Sequence, residues 1–188
     1  MDVLNDKSLT IISPVYKNEG TLIELIDRVF QVAEKLYTSY EYLFVVDGSP
    51  DDSFNILLRA AEKDSKIKVI NLSRNFGQHT AIMAGIDNAK GDHIFIIDAD
   101  LEELPECLID FKKEIDKNHE IVVGIRKDYS RSFFKTVTAR AYTFLYNMLS
   151  DYKIIGNTTN MRLLTKTYAS HLRQFKEYPF IGGFCSWI

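Results

Sequence analysis

The chain has 188 residues, 46% apolar and 26% charged, with a net charge of −3. That length supports one domain with a real core, and the charge balance, with no dense run of Lys and Arg, excludes a general attraction to nucleic acid. No apolar stretch reaches about 18 residues, so none reads as membrane-spanning, and Cys107 and Cys185, far apart with no His or Cys at metal spacing, read as isolated thiols in a reducing compartment.

From the N-terminus, "MDVLNDKS" is polar and lacks a signal-peptide pattern. "LTIISPVY" (9–16) is a short apolar run interrupted by Pro14. "TLIE" (21–24) has the form of a capping box, with Thr21 as N-cap and Glu24 three residues on. Apolar residues from Leu22 to Leu36 then recur at helical spacing. "YLFVV" (42–46) predicts a second strand ending at Asp47-Gly48. "SPDDS" predicts a helix start, with Ser49 as cap, Pro50 in the first turn and Asp51 and Asp52 at the positive end. "IKVINL" (67–72) predicts a third strand, and Gly77 to Ala89 a small-residue helix suited to close packing on a sheet. His79, at its start, reads as a helix-start residue, since no second His lies nearby. "HIFII" (93–97) predicts a fourth strand, Pro105 opens a further helix, and "EIVVG" (120–124) predicts a fifth strand. A long helix over 132–150 and a strand at "NMRLL" (160–164) complete the pattern.

Nearly apolar strands alternating with helices predict an α/β fold: a mostly parallel sheet with helices on both faces. Ligands of such sheets bind outside the carboxyl ends of the strands. There stand Pro14 and Tyr16, Asp47, Ser73 and Arg74, Asp98 and Asp100, and Arg126. In "IFIIDADLEELPE" the fourth strand runs into Asp98, Asp100, Glu102 and Glu103. Residues two apart on an extended chain face one side, so Asp98 and Asp100 can hold a divalent cation such as Mg²⁺ or Mn²⁺, which prefer oxygen ligands. The competing reading is a solvated acidic loop capping the helix at Pro105. Asp47, a further acid at a strand end, favours the site. The first turn, "PVYKNEGT", lacks the glycines of a dinucleotide-binding fold. An Asp pair after the fourth strand rather than an early one argues against a haloacid-dehalogenase-type phosphatase. The Pro-Val-Tyr ending of the first strand argues against a receiver domain.

Together, "ISPVYKNEGTL", "VVDGSPDDS", "LSRNFGQHTAIMAGIDNAKGDHIFIIDADLEELPE", "VGIRKDYSRSFFK" and "NMRLL" resemble family 2 glycosyltransferases of GT-A fold, in particular polyprenyl-phosphate sugar transferases of the dolichyl-phosphate mannose synthase type. The resemblance covers nearly the whole chain and implies one GT-A catalytic domain over 1–188. It implies that Pro14, Tyr16 and Glu19 contact the nucleotide and that Asp47 reads the base. Asp98 would lie near the ribose and diphosphate, and Asp100 and Glu102 would bind the metal. Arg126 and Arg131 would face donor or acceptor phosphates, and Arg74, with Asn75, could position the donor unless it is only a surface arginine. Three positions depart from the family pattern: Val46 where an acid or amide is usual, Glu102 where Gln is usual, and Asn160 where many relatives have Asp.

The implied reaction is transfer of a sugar, with inversion, from a UDP- or GDP-linked donor. A hydroxyl acceptor needs a general base; a phosphate acceptor is already anionic, which fits a polyprenyl phosphate and the loss of an acid at Asn160. The segment 132–152 combines aromatic residues with Arg131, Lys135 and Arg140, so it reads either as a membrane-surface helix facing the lipid or as an ordinary core helix. The chain ends in "PFIGGFCSWI", apolar to the last residue, so the expectation is a parent protein that continues into membrane helices, with this domain at the cytoplasmic face. The alternatives are a soluble family 2 transferase acting on a small acceptor, and a degenerate fold that holds nucleotide without transferring.

Overall fold

The computed structural model describes residues 7–125 and 158–174. Its elements are β1 (Leu9–Val15), α1 (Leu22–Leu36), β2 (Tyr40–Val46), α2 (Ser53–Lys63), β3 (Ile67–Asn71), α3 (Gln78–Asn88), β4 (His93–Ile96), a 3₁₀ turn (Pro105–Cys107), α4 (Leu108–Ile115), β5 (Ile121–Ile125), β6 (Thr158–Thr165) and α5 (Lys166–Gln174). The expected helix over 132–150 lies outside the described residues.

The strands form one sheet in the order β3-β2-β1-β4-β6-β5. β1, β2, β3 and β4 run parallel, while β6 is antiparallel to both β4 and β5. The predicted mostly parallel sheet is therefore present, with one reversed strand between β4 and β5. Side chains alternate between two apolar layers, as period-2 strands require. Ile11, Phe44, Val46, Phe95 and Leu163 pack with Leu22, Leu25 and Val29 of α1, Leu57 of α2, and Leu108 and Phe111 of α4. Ile12, Val45, Ile94, Ile96 and Leu164 pack on the opposite face with Ala81, Ile82 and Ile86 of α3 and Tyr168, Ala169 and Leu172 of α5. The small residues of α3 serve this packing: a Cβ at Gly85 would lie 2.5 Å from Ile12 Cγ2.

Two helix starts differ from expectation. Thr21 occupies the N-cap of α1 but makes no side-chain cap. Its hydroxyl donates instead to the carbonyls of Asn18 at 3.1 Å and Ala99 at 2.5 Å, which ties the helix start to the loop after β4. Helix α2 starts at Ser53 with Asp52 as N-cap, not at Ser49. Asp51 organises this turn, accepting hydrogen bonds from the Ser49 hydroxyl at 2.6 Å and the Ser53 hydroxyl at 2.9 Å. A carboxylate with two hydroxyl donors outcompetes a single serine cap. Helix α5, absent from the sequence-based element pattern, follows β6 directly.

Candidate active site

The strand order reverses direction at β1: β2 and β3 lie on one side, β4 on the other. Such a switch point opens a crevice at the carboxyl ends of the parallel strands. A cleft of about 340 Å³ lies there. The end of β1 contributes Pro14, Val15, Tyr16 and Asn18, and the end of β2 contributes Asp47. The β3–α3 loop contributes Asn75, Gly77 and Gln78, and the end of β4 contributes Asp98, Ala99 and Asp100.

Asp98 is held from two sides. Gln78 Nε2 donates to one carboxylate oxygen at 2.6 Å, and Asn160 Nδ2 donates to the other at 2.8 Å. Burial pushes the Asp98 carboxyl above its ordinary range, and nearby Asp100 pushes the same way. The two amides and Arg162 pull downward without cancelling the rise. Arg162 stands on β6 opposite Ile96, only 4% exposed. Its Nε and Nη1 have no hydrogen-bond partner among the described residues. His79, in the first turn of α3, joins this group. Burial lowers its pKa, as does the charge of Arg162, while Asp98 opposes them.

Asp100 is exposed, and its Oδ1 accepts the Glu102 N–H at 3.0 Å across a turn in which Leu101 takes φ 61°. Asp47 is 3% exposed and accepts two backbone N–H bonds, from Phe76 at 2.7 Å and from Gly77 at 2.8 Å. Gly48 follows in the left-handed region at φ 59°, where a Cβ would lie 2.4 Å from the Arg74 carbonyl carbon, so the two loops touch backbone to backbone.

Of the residues expected at the site, Pro14, Tyr16, Asp47, Asp98 and Asp100 line the cleft together. Glu19, Arg74 and Glu102 do not line it. Glu19 accepts the Asp52 N–H at 2.9 Å and so joins the β1–α1 loop to the start of α2. The Arg74 guanidinium lies 4.7 Å from the Phe76 ring centroid. Glu102 is exposed on the turn beyond Asp100. Arg126 and Arg131 lie outside the described residues. Sequence reasoning missed Gln78 and Arg162. Neither carries a local signal, because each gains its meaning from Asp98, brought near by the packing of α3 and β6.

Among the described residues, no three His, Cys, Asp or Glu side chains converge as a metal site. Asp98 already has both oxygens engaged, and Asp100 offers a largely free carboxylate at the cleft. This donor set fits a hard cation that shares its coordination with substrate phosphates, the usual arrangement for Mg²⁺. It does not supply a cage made by protein alone. No helix among the described residues is long and apolar enough to cross a membrane.

Comparison with known proteins supplies the family. Residues 10–178 match Glycosyl transferase family 2. The uncharacterized glycosyltransferase YkcC of Bacillus subtilis (strain 168) is 36% identical over 181 residues, covering 95% of this chain and 56% of that protein. An undecaprenyl-phosphate 4-deoxy-4-formamido-L-arabinose transferase of Edwardsiella ictaluri is 36% identical over 133 residues, 70% of this chain and 41% of that one. The mannosyltransferase PcManGT of Pyrobaculum calidifontis, solved in complex with GDP-Man and Mn²⁺, superposes with a TM-score of 0.61 at 18% identity, covering 89% of this chain and 47% of that one. The chain thus spans about half the length of the curated relatives it matches. With the six-stranded sheet of its described residues, its cleft at the strand reversal and this match along most of its length, the chain belongs to glycosyl transferase family 2 and has the GT-A fold.

Proposed function

We propose that this chain is the donor-binding catalytic part of an inverting glycosyltransferase that moves a sugar from a UDP- or GDP-linked donor to a polyprenyl phosphate. The observation that carries the reading is the cleft at the strand reversal, which Asp98 and Asp100 line together with Pro14 and Tyr16. The related undecaprenyl-phosphate transferase supports the acceptor class. In this reading the apolar wall at Pro14 and Val15 and the ring of Tyr16 receive the nucleoside. Asp98, held by two amides, orients the ribose. Asp100, which lines the cleft, would hold a divalent cation, Mg²⁺ or Mn²⁺, together with the donor diphosphate, and Glu102 would join it only by turning in from the exposed turn beyond. When bound, that cation supplies Lewis-acid stabilisation of the charge on the leaving group. Arg126 and Arg131, on the chain after β5, add charge-assisted hydrogen bonds to phosphate. Position 160 provides no general base, since Asn160 is an amide whose Nδ2 donates to Asp98. A phosphate acceptor needs none, because it attacks as an anion. The protein works at the cytoplasmic face of a membrane, where such a lipid is presented.

The test is titration calorimetry of UDP and GDP in Mn²⁺ and in chelator. Binding of one nucleotide should be tighter with Mn²⁺, and Asp100→Ala should remove that gain while leaving residual affinity. Equal binding in chelator would refute the metal-dependent reading. For the acceptor, transfer of labelled sugar to polyprenyl phosphate is compared with transfer to water-soluble saccharides. Transfer only to the latter would overturn the lipid assignment.

A further inference from the structure

A guanidinium lies behind the cleft wall with no described residue to balance it. Arg162 is 4% exposed, and its Nε and Nη1 have no hydrogen-bond partner among the described residues. Among those residues it forms no ion pair either. It stands on β6 opposite Ile96 and two residues from Asn160, so both side chains lie on the face of the sheet that α3 covers. Its charge is felt at Asp98 and at His79, in the first turn of α3. Asp98 nevertheless takes its hydrogen bonds from amides, Gln78 at 2.6 Å and Asn160 at 2.8 Å. A buried charge without a partner is costly. Such an orphaned group in a native structure points to a partner outside the fold's own bonding, such as an ion or a ligand.

Resting on the donor-binding reading above, we propose that Arg162 is the buried counter-charge for the phosphate of the acceptor, and so selects an anionic acceptor. The sheet order carries the assignment. With the nucleoside at Pro14 and Tyr16 after β1 and the diphosphate at Asp100 after β4, the donor runs across the strand ends toward β6. Inversion requires the acceptor to approach the anomeric carbon from the side away from the diphosphate, which on this path is the β6 side. There the chain offers an amide at Asn160, which cannot take a proton from a hydroxyl, and a permanent cation two residues on. Both suit an acceptor that arrives as an anion. One of its phosphate oxygens forms the bond to the anomeric carbon. The bond from that carbon to the diphosphate breaks, and its electron pair leaves with the nucleoside diphosphate; no proton is transferred. Away from solvent, the guanidinium acts on that phosphate more strongly than an exposed cation does.

The experiment compares wild type with Arg162→Met, which keeps an unbranched stem and removes the charge. Melting is followed in phosphate-free buffer. Binding of farnesyl phosphate, of farnesol, and of UDP and GDP with Mn²⁺ is then measured by calorimetry at about pH 8, where a phosphate monoester is fully charged. Because the guanidinium is unpaired without acceptor, the variant should melt at or above the wild-type temperature. Farnesyl phosphate should bind the variant at least about tenfold more weakly, the scale of a hydrogen bond to a charged group. Farnesol, which has the tail without the phosphate, should not distinguish the two proteins, and the nucleotides should bind the variant as they bind wild type. If Met does not fit the site, Arg162→Gln carries the same comparison. A lower melting temperature for both neutral variants would overturn the proposal, since the guanidinium would then belong to the fold. So would farnesyl phosphate that binds variant and wild type alike, or fails to bind wild type. A loss shared with farnesol or with the nucleotides would also overturn it, because Arg162 would then serve the tail or the donor. Wild-type protein that binds neither nucleotide would refute the donor-binding reading instead, and the farnesyl phosphate comparison would then decide on Arg162 alone.

Discussion

Replacing Asn160 with Leu tests the setting of Asp98 most directly. Leucine has nearly the same shape as asparagine but cannot donate, so the 2.8 Å bond to Asp98 Oδ2 disappears while Gln78 keeps its 2.6 Å bond to Oδ1. A hydrogen bond to a charged group contributes about 1.5–3 kcal/mol. Asp98 is largely buried, so solvent replaces the lost donor poorly, and a loss of about 2 kcal/mol is expected at pH 8. The loss should depend on pH. The Asp98 carboxyl already sits above its ordinary 3.8 through burial and Asp100, and removing Asn160 removes one of the two amides that pull it down. A carboxyl whose folded pKa is raised takes up its proton in the native state before the unfolded chain does. Its effect is stabilising below the unfolded value and fades as pH rises through the folded one. The variant has the higher folded value, so its deficit relative to wild type shrinks as pH falls toward 3.8. Urea unfolding at fixed ionic strength, at pH 8 and at pH 4, close to the ordinary 3.8, measures this. A cycle with Asp98→Asn isolates the coupling, which should be about 2 kcal/mol at pH 8. An equal deficit at both pH values, or no coupling to Asp98, would refute the reasoning.

Two further predictions concern parts of the fold away from Asp98. His93 is 1% exposed, with Tyr37 Oη 3.0 Å from its Nδ1. Burial, then the charges of Lys7 and Lys112, lower its pKa from 6.5 to about 4. In that window the unfolded chain binds a proton that the native state refuses, so stability should fall by about 3 kcal/mol on acidification across it. A urea-unfolding series from pH 8 to pH 4 should show this slope, and His93→Phe should lose it; an unchanged slope would reject the assignment. Gly48→Ala should lower stability by about 2 kcal/mol or more, because it forces alanine into the left-handed region against the Arg74 backbone. Gly20→Ala, where a Cβ meets nothing within 4 Å, is the control, and equal melting temperatures for the two variants would contradict the loop contact.

Much of this architecture is legible in local pattern. Each of β1 to β5 is a short, mainly apolar run, and α1 repeats its apolar residues at helical spacing. Those signals depend on a few neighbouring residues, which is why the alternation of strands and helices can be read without coordinates. The acids at strand ends are legible for the same reason, since a strand's end is visible where its apolar run stops. The helix starts were less so. "TLIE" has the form of a capping box, but Thr21 turns its hydroxyl to Ala99, 78 residues away, and that carbonyl is invisible to a local reading.

By itself, then, the sequence determined an α/β chain with acids at the carboxyl ends of its strands, and a family resemblance that proved correct. Only the tertiary structure decided which of those acids are free and which are occupied. Asp98 is held by Gln78 and Asn160, 20 and 62 residues away, and Asp47 is held by backbone N–H groups about 30 residues on. The reversed β6 places Asn160 and Arg162 beside β4, and the sheet order brings Tyr16, Asp47 and Asp100 to one cleft. The reason is physical: strand pairing and helix packing bring distant residues within hydrogen-bonding range, and a carboxylate's role depends on which donors reach it there.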